Sequence, residues 1–167
     1  LEEQFPDEES PYAAEGTAGH ELAEHLIKKY LKMRTKRPVS EYYTDGLMDA
    51  VEEYVSYVTG QIEEAGRECA DAVFLVEYRV DLTSFVPDCF GTADMVIITD
   101  KKVHVIDLKL GQGVRVEAEE NCQLMIYALG ILQIADSLFD VDKVELTIVQ
   151  PRLDSISDWE VSADALR

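Results

Sequence analysis

Two apolar segments joined by a short polar turn limit the folds open to this chain more than any other feature. Residues 93–98 and 103–108 are mostly apolar and β-branched, and the four residues between them read Thr-Asp-Lys-Lys. Short polar connections between such runs are typical of a β-hairpin. Because apolar residues fall on both faces of each segment, we expect the hairpin to lie in the centre of a sheet, covered on both sides.

The open end of this hairpin carries two carboxylates and a lysine. With the turn centred between Asp100 and Lys101, Asp94 lies opposite Asp107, and facing Cβ atoms in such pairs are about 4.5–5.5 Å apart. Lys109 follows Asp107 by two residues and therefore projects from the same face. Burial of these charges is costly unless they are paired or bind a cation. Two interpretations stay open: an Asp–Lys ion pair at a strand end, and a cation site.

The rest of the chain predicts two helices before the hairpin strands and a helix and a strand after them. Ser10 and Pro11 are typical of a helix start, and Thr44 or Asp45 suits the start of a second helix. The predicted elements are a tail or loop over 1–11, helices over 12–33 and 44–66, a strand over 73–82, the hairpin, a helix over 117–134 and a strand over 143–149 that Pro151 ends, with the remainder over 152–167 ambiguous. This order indicates a mixed α/β domain with a central sheet.

Composition and charge exclude several classes of protein. The chain has 167 residues, 47% of them hydrophobic, which suits one packed domain over 1–167. Its formal charge of −19 argues against a protein that coats DNA or adheres to an anionic membrane through positive charge. A metal-dependent enzyme is compatible with this charge, because hard cations bind clustered carboxylates.

Cysteine content and the chain start bear on the cellular compartment. The three cysteines form no CxxC pair and fit neither a disulfide framework nor a zinc site, so we expect a reducing, cytoplasmic location. No apolar run reaches the roughly 18 residues that a membrane span needs. The acidic start is unlike a signal peptide. Because the first residue is Leu1, we expect the chain to be a fragment of a longer one.

Four short motifs follow one another along the chain. They are Gly16-Thr17-Ala18-Gly19-His20-Glu21, Gly91-Thr92-Ala93-Asp94, Asp107-Leu108-Lys109, and Gln123 with Tyr127 four residues later. Together they resemble the PD-(D/E)XK nuclease superfamily, and within it the RecB-like branch, including RecB-like exonuclease-family proteins of phages and prophages. The resemblance covers about residues 16–130. It implies a restriction-endonuclease-like core: a central mixed sheet flanked by helices in α-β-β-β-α-β order, with an additional N-terminal helix pair.

The resemblance also implies a metal centre. His20, Asp94, Asp107 and the carbonyl of Leu108 would ligate Mg²⁺ or Mn²⁺, and Lys109 would orient or activate the attacking water and stabilise charge on the phosphate. Asp94, Asp107 and Lys109 would form the catalytic set. These residue types suit phosphodiester hydrolysis, which needs a polarised phosphoryl oxygen, an activated water and a stabilised leaving oxygen.

Further residues receive roles around this centre. Gln123 and Tyr127 would support the site or contact DNA, although helix packing also explains them, and Arg115 would contact phosphate. Glu77 is a candidate additional acid, with an exposed strand carboxylate as the alternative. His25 and His104 belong to no motif, and we expect structural roles for them. No iron–sulfur cluster is expected, because the cysteines that some RecB-like nucleases carry near the chain end are absent after Cys122.

The leading functional hypothesis is a metal-dependent DNA nuclease, exonuclease-like, that hydrolyses phosphodiester bonds in phage recombination or replication. The alternative is a non-catalytic nuclease-fold module that binds DNA ends or a protein partner. The intact Asp94, Asp107 and Lys109 favour the enzyme. The charge of −19 favours the binding module, or a protein partner or oligomer that supplies affinity for DNA. An acidic DNA mimic is a weaker third hypothesis, and no membrane partner is expected.

Overall fold

The computed structural model of the chain describes residues 10–167, so the tail predicted over 1–11 lies largely outside the described residues. Its elements are α1 (Pro11–Tyr30), α2 (Asp45–Glu68), β1 (Val73–Asp81), β2 (Phe90–Ile98), β3 (Lys102–Leu108), α3 (Cys122–Ala135), β4 (Lys143–Gln150), a 3₁₀ turn (Pro151–Leu153), β5 (Ser155–Ser162) and α4 (Ala163–Leu166). Within residues 10–167, no helix combines the length and apolar character needed to cross a membrane.

The five strands form one mixed sheet in the order β1-β2-β3-β4-β5. Strands β3 and β4 run parallel, and the other neighbouring strands run antiparallel. β3 is the middle strand, as its apolar residues on both faces predict. The α/β fold, with a mixed sheet flanked by helices and a helix pair at the N-terminus, confirms the predicted restriction-endonuclease-like architecture.

The hairpin register agrees with the sequence. Val96 pairs with Val105 and Ile98 with Val103, and the paired region ends at Met95 and Ile106. Continuation of this register by one residue sets Asp94 opposite Asp107, at the point where the two strands separate. The two carboxylates therefore lie at the end of the sheet rather than in the middle of its hydrogen-bonded ladder.

Two apolar cores enclose the sheet, one on each face. Helices α1 and α2 cover the face that carries Met95, Ile97, Ile106 and Leu108. Helix α3 covers the opposite face, which carries Val96, Ile98, Val103 and Val105 together with the buried helix residues Leu124, Ala128 and Ile131. Removal of this apolar area from water provides the main driving force for the fold. It also fixes the orientation of α1, and with it the position of His20.

Local signals at the helix starts behave as the sequence indicates. The Ser10 hydroxyl accepts a hydrogen bond from the Ala13 amide at 3.1 Å, and Thr44 accepts one from Leu47 at 3.3 Å. Both satisfy amides that the first turn of a helix leaves without a backbone partner. Helix α1 ends at Tyr30, before the predicted end at 33, and Lys32 adopts a left-handed φ of 60° just after it.

Two parts of the C-terminal half differ from the prediction. Helix α3 starts at Cys122 instead of 117, because Asn121 caps it and Ser157 accepts a hydrogen bond from the Ala118 amide at 2.8 Å. The ambiguous last segment contains β5, an edge strand that pairs with β4 along its length, and the short helix α4. Asp154, at a φ of 49°, turns the chain back after the 3₁₀ turn.

Candidate functional site

Helix α1 brings His20 to the end of the central strands. His20 Nε2 lies 3.0 Å from the carbonyl oxygen of Leu108 and 3.3 Å from Asp94 Oδ2, and its Nδ1 lies 2.8 Å from the carbonyl oxygen of Gly16. Both ring nitrogens therefore face oxygen acceptors. Burial alone would lower the pKa of His20, but its hydrogen bond to Asp94 and the charge of that carboxylate raise the pKa to about 9.

Asp94 and Asp107 meet at the same strand ends. Asp94 Oδ2 accepts a hydrogen bond from the Leu108 amide at 2.8 Å. Asp107 is buried, and its Oδ2 lies 3.0 Å from Lys109 Nζ as an ion pair, yet within residues 10–167 this oxygen has no partner with hydrogen-bond geometry. Burial, followed by the nearby charge of Asp94, raises the pKa of Asp107 to about 7. The site thus holds two carboxylates whose repulsion is only partly offset by His20 and Lys109.

A chain of hydrogen bonds joins this centre to α3. Lys109 Nζ donates to Gln123 Oε1 at 3.3 Å, and Gln123 Nε2 donates to the Tyr127 hydroxyl at 3.2 Å. Gly91 permits the approach of Tyr127, because a Cβ at Gly91 would lie 2.3 Å from Tyr127 Cε1. The G-x-x-D and Q-x-x-x-Y motifs are therefore in direct contact.

Glu77 lies beside the two aspartates. The pairing of β1 with β2 runs through Val76–Met95 and Tyr78–Ala93, which sets Glu77 opposite Asp94. Glu77 has a φ of 47° in the middle of a strand, a left-handed conformation that is unfavourable for a side chain of this type. Burial and the charge of Asp94 raise its pKa to about 7.

Tyr54, which belongs to none of the sequence motifs, reaches the same region from α2. Its side chain is 1% exposed, and its hydroxyl has no hydrogen-bond partner within the part of the chain that is described. Burial raises its pKa well above the ordinary value, and the charges of Asp94, Asp107 and Glu77 raise it further. A buried polar oxygen and a buried carboxylate oxygen, both without hydrogen bonds, therefore accompany the cluster.

A cleft of about 780 Å³ opens over the cluster. It is lined by His20, Asp94, Asp107, Leu108, Lys109 and Gln123 from the predicted site, together with Tyr12, Glu15, Gly16, Thr92, residues 110–113 and Arg152. Arg152 follows β4 and forms an ion pair with Glu15 of α1. Tyr12 and Arg152 are additions that the sequence motifs did not identify, whereas Arg115 is exposed and does not line the cleft.

A different group offers the tightest set of metal-ligand atoms. Within residues 10–167, His104, Glu145 and Asp158 are the three residues whose ligand atoms all lie within 4.8 Å of one another, so they could hold a metal ion. The predicted set of His20, Asp94 and Asp107 is more open: His20 pairs with Asp94, and Asp107 with Lys109. His25, the other histidine outside the motifs, lies 3.1 Å from the Thr35 hydroxyl through Nδ1.

Comparison with known proteins identifies the family. The chain belongs to the family described as "Protein of unknown function (DUF2800)", whose model matches residues 1–167. Among solved structures, it is similar to the protein described as "Crystal structure of SSO0001", with 15% sequence identity, coverage of 84% of this chain and 75% of that chain, and a TM-score of 0.30. A TM-score at this level does not establish a shared fold.

The raised pKa values predict that the metal-free protein loses stability as pH rises. The folded state keeps protons on Glu77 and Asp107, with pKa values of about 7, that the unfolded chain releases near its ordinary values of 4.5 and 3.8. His20 is raised from 6.5 to about 9, so its stabilising contribution is complete below 6.5 and lost as pH rises through 9. The two carboxyl groups and His20 therefore all lower the free energy of unfolding as the pH rises.

Urea unfolding in EDTA measures this dependence. We expect the urea concentration at the unfolding midpoint to decrease as the pH rises from about 5 to about 9. The decrease should be smaller in Asp107→Asn, which lacks one of the carboxyl groups with a raised pKa. A midpoint that rises over this range, or an equal fall in Asp107→Asn, contradicts the electrostatic description of the cluster.

Proposed function

We propose that the chain is a metal-dependent DNA nuclease of the PD-(D/E)XK superfamily, RecB-like branch, with an exonuclease-like activity in phage recombination or replication. The observation that carries the proposal is the meeting of Asp94, Asp107 and Lys109 at the end of the central strands, where a cleft opens over them. A purely structural Asp–Lys ion pair does not account for the second carboxylate, Asp94, beside it.

The residues present fit Mg²⁺ or Mn²⁺. His20 Nε2 lies 3.0 Å from the Leu108 carbonyl oxygen and 3.3 Å from Asp94 Oδ2. Neighbouring ligands of an octahedral ion with bonds of about 2.0–2.1 Å are about 3 Å apart, so this spacing suits a shared cation. Asp107 would add a second carboxylate. His20 binds a metal only after it loses the proton that Asp94 stabilises.

Different residues of the cleft would perform different steps of phosphodiester hydrolysis. When bound, the metal would polarise a phosphoryl oxygen and lower the pKa of a water. Lys109 lies beside Asp107, where its ammonium can hold the water and stabilise negative charge on the phosphate. Gln123 fixes the Lys109 ammonium and is itself held by Tyr127. Arg152 offers a second positive charge in the cleft, where a phosphate would compete with Glu15.

The charge of −19 supports the second candidate, a non-catalytic nuclease-fold module that binds DNA ends or a protein partner. Such a protein repels phosphate over most of its surface. The two candidates differ in what a bound cation does. In the nuclease it makes cleavage possible, whereas in the module DNA affinity does not depend on a cation at Asp94 and Asp107.

Cleavage and binding of labelled single- and double-stranded DNA distinguish the candidates. At fixed ionic strength we expect weak binding in EDTA, binding without cleavage in Ca²⁺, and cleavage in Mg²⁺ or Mn²⁺, because Ca²⁺ accepts looser coordination. Lys109→Ala should lower cleavage about a hundredfold or more. Lys143→Ala, which removes a lysine that is 57% exposed on β4, should have no effect.

Equal affinity with and without a divalent cation favours the binding module. The same conclusion follows if the effect of the cation persists in Asp94→Asn, because the cation then acts elsewhere. Cleavage that is unchanged in Lys109→Ala after repeated purification contradicts the nuclease site.

A further inference from the structure

We propose a second cation site, separate from the cleft, in which His104, Glu145 and Asp158 bind Zn²⁺ and join three strands of the sheet. The ligand atoms of these residues all lie within 4.8 Å of one another. The proposal does not depend on nuclease activity, since none of the three residues lines the cleft.

The strand register assembles this group. His104 of β3 pairs directly with Glu145 of β4 in the parallel ladder, so the two side chains share a face of the sheet. Thr147, two residues farther along β4 on the same face, pairs with Asp158 of β5. An ion at this position would connect the central strand to the edge strand β5.

Burial and charge favour a cation over an apolar contact. His104 is 1% exposed and Glu145 is 9% exposed, so both polar side chains lie largely out of contact with solvent. Lys102 pairs with Glu145 Oε1 at 2.6 Å and balances one carboxylate, which leaves the charge of Asp158 without a cationic partner among the described ion pairs. Asp158 is exposed, so an ion can enter from solvent without opening of the core.

The second oxygen of Glu145 has the spacing of a metal ligand. Glu145 Oε2 lies 3.7 Å from His104 Nε2, which is longer than a hydrogen bond. Two ligands of a tetrahedral Zn²⁺ with bonds of about 2.0–2.1 Å are about 3.4 Å apart, so small side-chain shifts bring both to one ion. Zn²⁺ accepts both imidazole nitrogen and carboxylate oxygen as ligands, so the donor atoms of this group suit it.

The Thr147 hydroxyl indicates which ring nitrogen of His104 carries the proton when no ion is bound. Thr147 Oγ1 donates to Asp158 Oδ1 at 2.6 Å and lies 2.7 Å from His104 Nε2, so without an ion the Nε2 hydrogen points to Thr147. Burial lowers the pKa of His104 to about 3, and the ring is therefore neutral. When Zn²⁺ bonds to Nε2, the single ring proton moves to Nδ1, and the ring neither gains nor loses charge. The Thr147 oxygen is then a candidate fourth ligand.

Titration with ZnCl₂ alone tests the proposal. We would use the full chain with Asp94→Asn, which disables the cleft, under reducing conditions and follow heat and melting temperature. We expect a bound Zn²⁺ that raises the melting temperature, and a loss of affinity greater than about a hundredfold in both His104→Gln and Glu145→Gln. His25→Gln is the matched control, because His25 is also buried but pairs with Thr35 outside the group.

The folding of the variants and the binding of Zn²⁺ by the parent protein decide whether the site exists. If His104→Gln fails to fold, as judged by circular dichroism in EDTA, Glu145→Gln alone decides, since it preserves the shape of its side chain. Absence of Zn²⁺ binding in the parent protein overturns the proposal. So does affinity that is equal in the parent and in Glu145→Gln or His104→Gln, because the ion then binds elsewhere, for example at a cysteine.

Discussion

Asp107→Asn is expected to lower metal-dependent cleavage by at least about a hundredfold while it stabilises the metal-free protein. The two effects share a cause. Asp107 is buried opposite Asp94, and burial with the neighbouring charge raises its pKa to about 7, so the ionised group is costly without a cation. An amide of the same shape removes this repulsion but is a much weaker ligand for Mg²⁺ or Mn²⁺.

Single-turnover cleavage and urea unfolding in EDTA measure the two effects on one preparation. Asp100→Asn is the matched control, because it makes the same chemical change at an exposed position in the turn of the same hairpin. We expect Asp100→Asn to change neither quantity. Wild-type cleavage by Asp107→Asn removes this residue from the catalytic set, and a loss of stability near neutral pH shows that the carboxylate is satisfied in the folded protein.

Tyr54→Phe is expected to raise the unfolding free energy of the metal-free protein by about 1–3 kcal/mol, which is the usual cost of a buried polar group without a partner. The ring of Tyr54 is packed in the core on α2, whereas its hydroxyl lies near the charges of Asp94, Asp107 and Glu77 and has no hydrogen-bond partner among residues 10–167. Phenylalanine keeps the packing and removes the orphaned oxygen.

Tyr57→Phe is the control on the same helix. The Tyr57 hydroxyl donates to Thr147 Oγ1 at 3.5 Å, so its removal should leave stability unchanged or slightly lower. Urea unfolding of both variants in EDTA gives the comparison. A stability loss in Tyr54→Phe that equals or exceeds the loss in Tyr57→Phe means that the Tyr54 hydroxyl is satisfied, and its significance for the site is then lost.

The sequence predicts the centre of the fold well because local chemistry and tertiary structure agree there. The turn after Ile98 sets the hairpin register, and the side-chain alternation of a strand then determines that Asp107 and Lys109 share a face. Apolar residues on both faces of β3 require cover on both sides, which its central place in the sheet provides. His20 was predicted only through the resemblance of its motif, and the capped helix α1 brings it to the strand ends.

Other parts of the site depend on contacts that no local pattern contains. Helical periodicity identifies Tyr54 only as a buried position, whereas its hydroxyl is affected by the charges of Asp94 and Asp107 because α2 packs on this face of the sheet. Arg152 reaches the cleft because β4 runs parallel to β3 and ends beside it. Glu77 was a candidate acid from the sequence, but no local pattern predicts its left-handed backbone opposite Asp94. Strand β5 was missed because edge strands carry a weak apolar signal, and only part of its residues are buried.

The most direct test of the central claim is anomalous X-ray scattering from crystals of the protein soaked in Mn²⁺. We predict a Mn²⁺ peak within bonding distance of the carboxylates of Asp94 and Asp107 and of the Leu108 carbonyl oxygen, with His20 Nε2 turned to the same ion. The peak should vanish in Asp107→Asn. Carboxylates that remain without an ion, or Mn²⁺ bound only at His104, Glu145 and Asp158, would contradict a metal centre in the cleft.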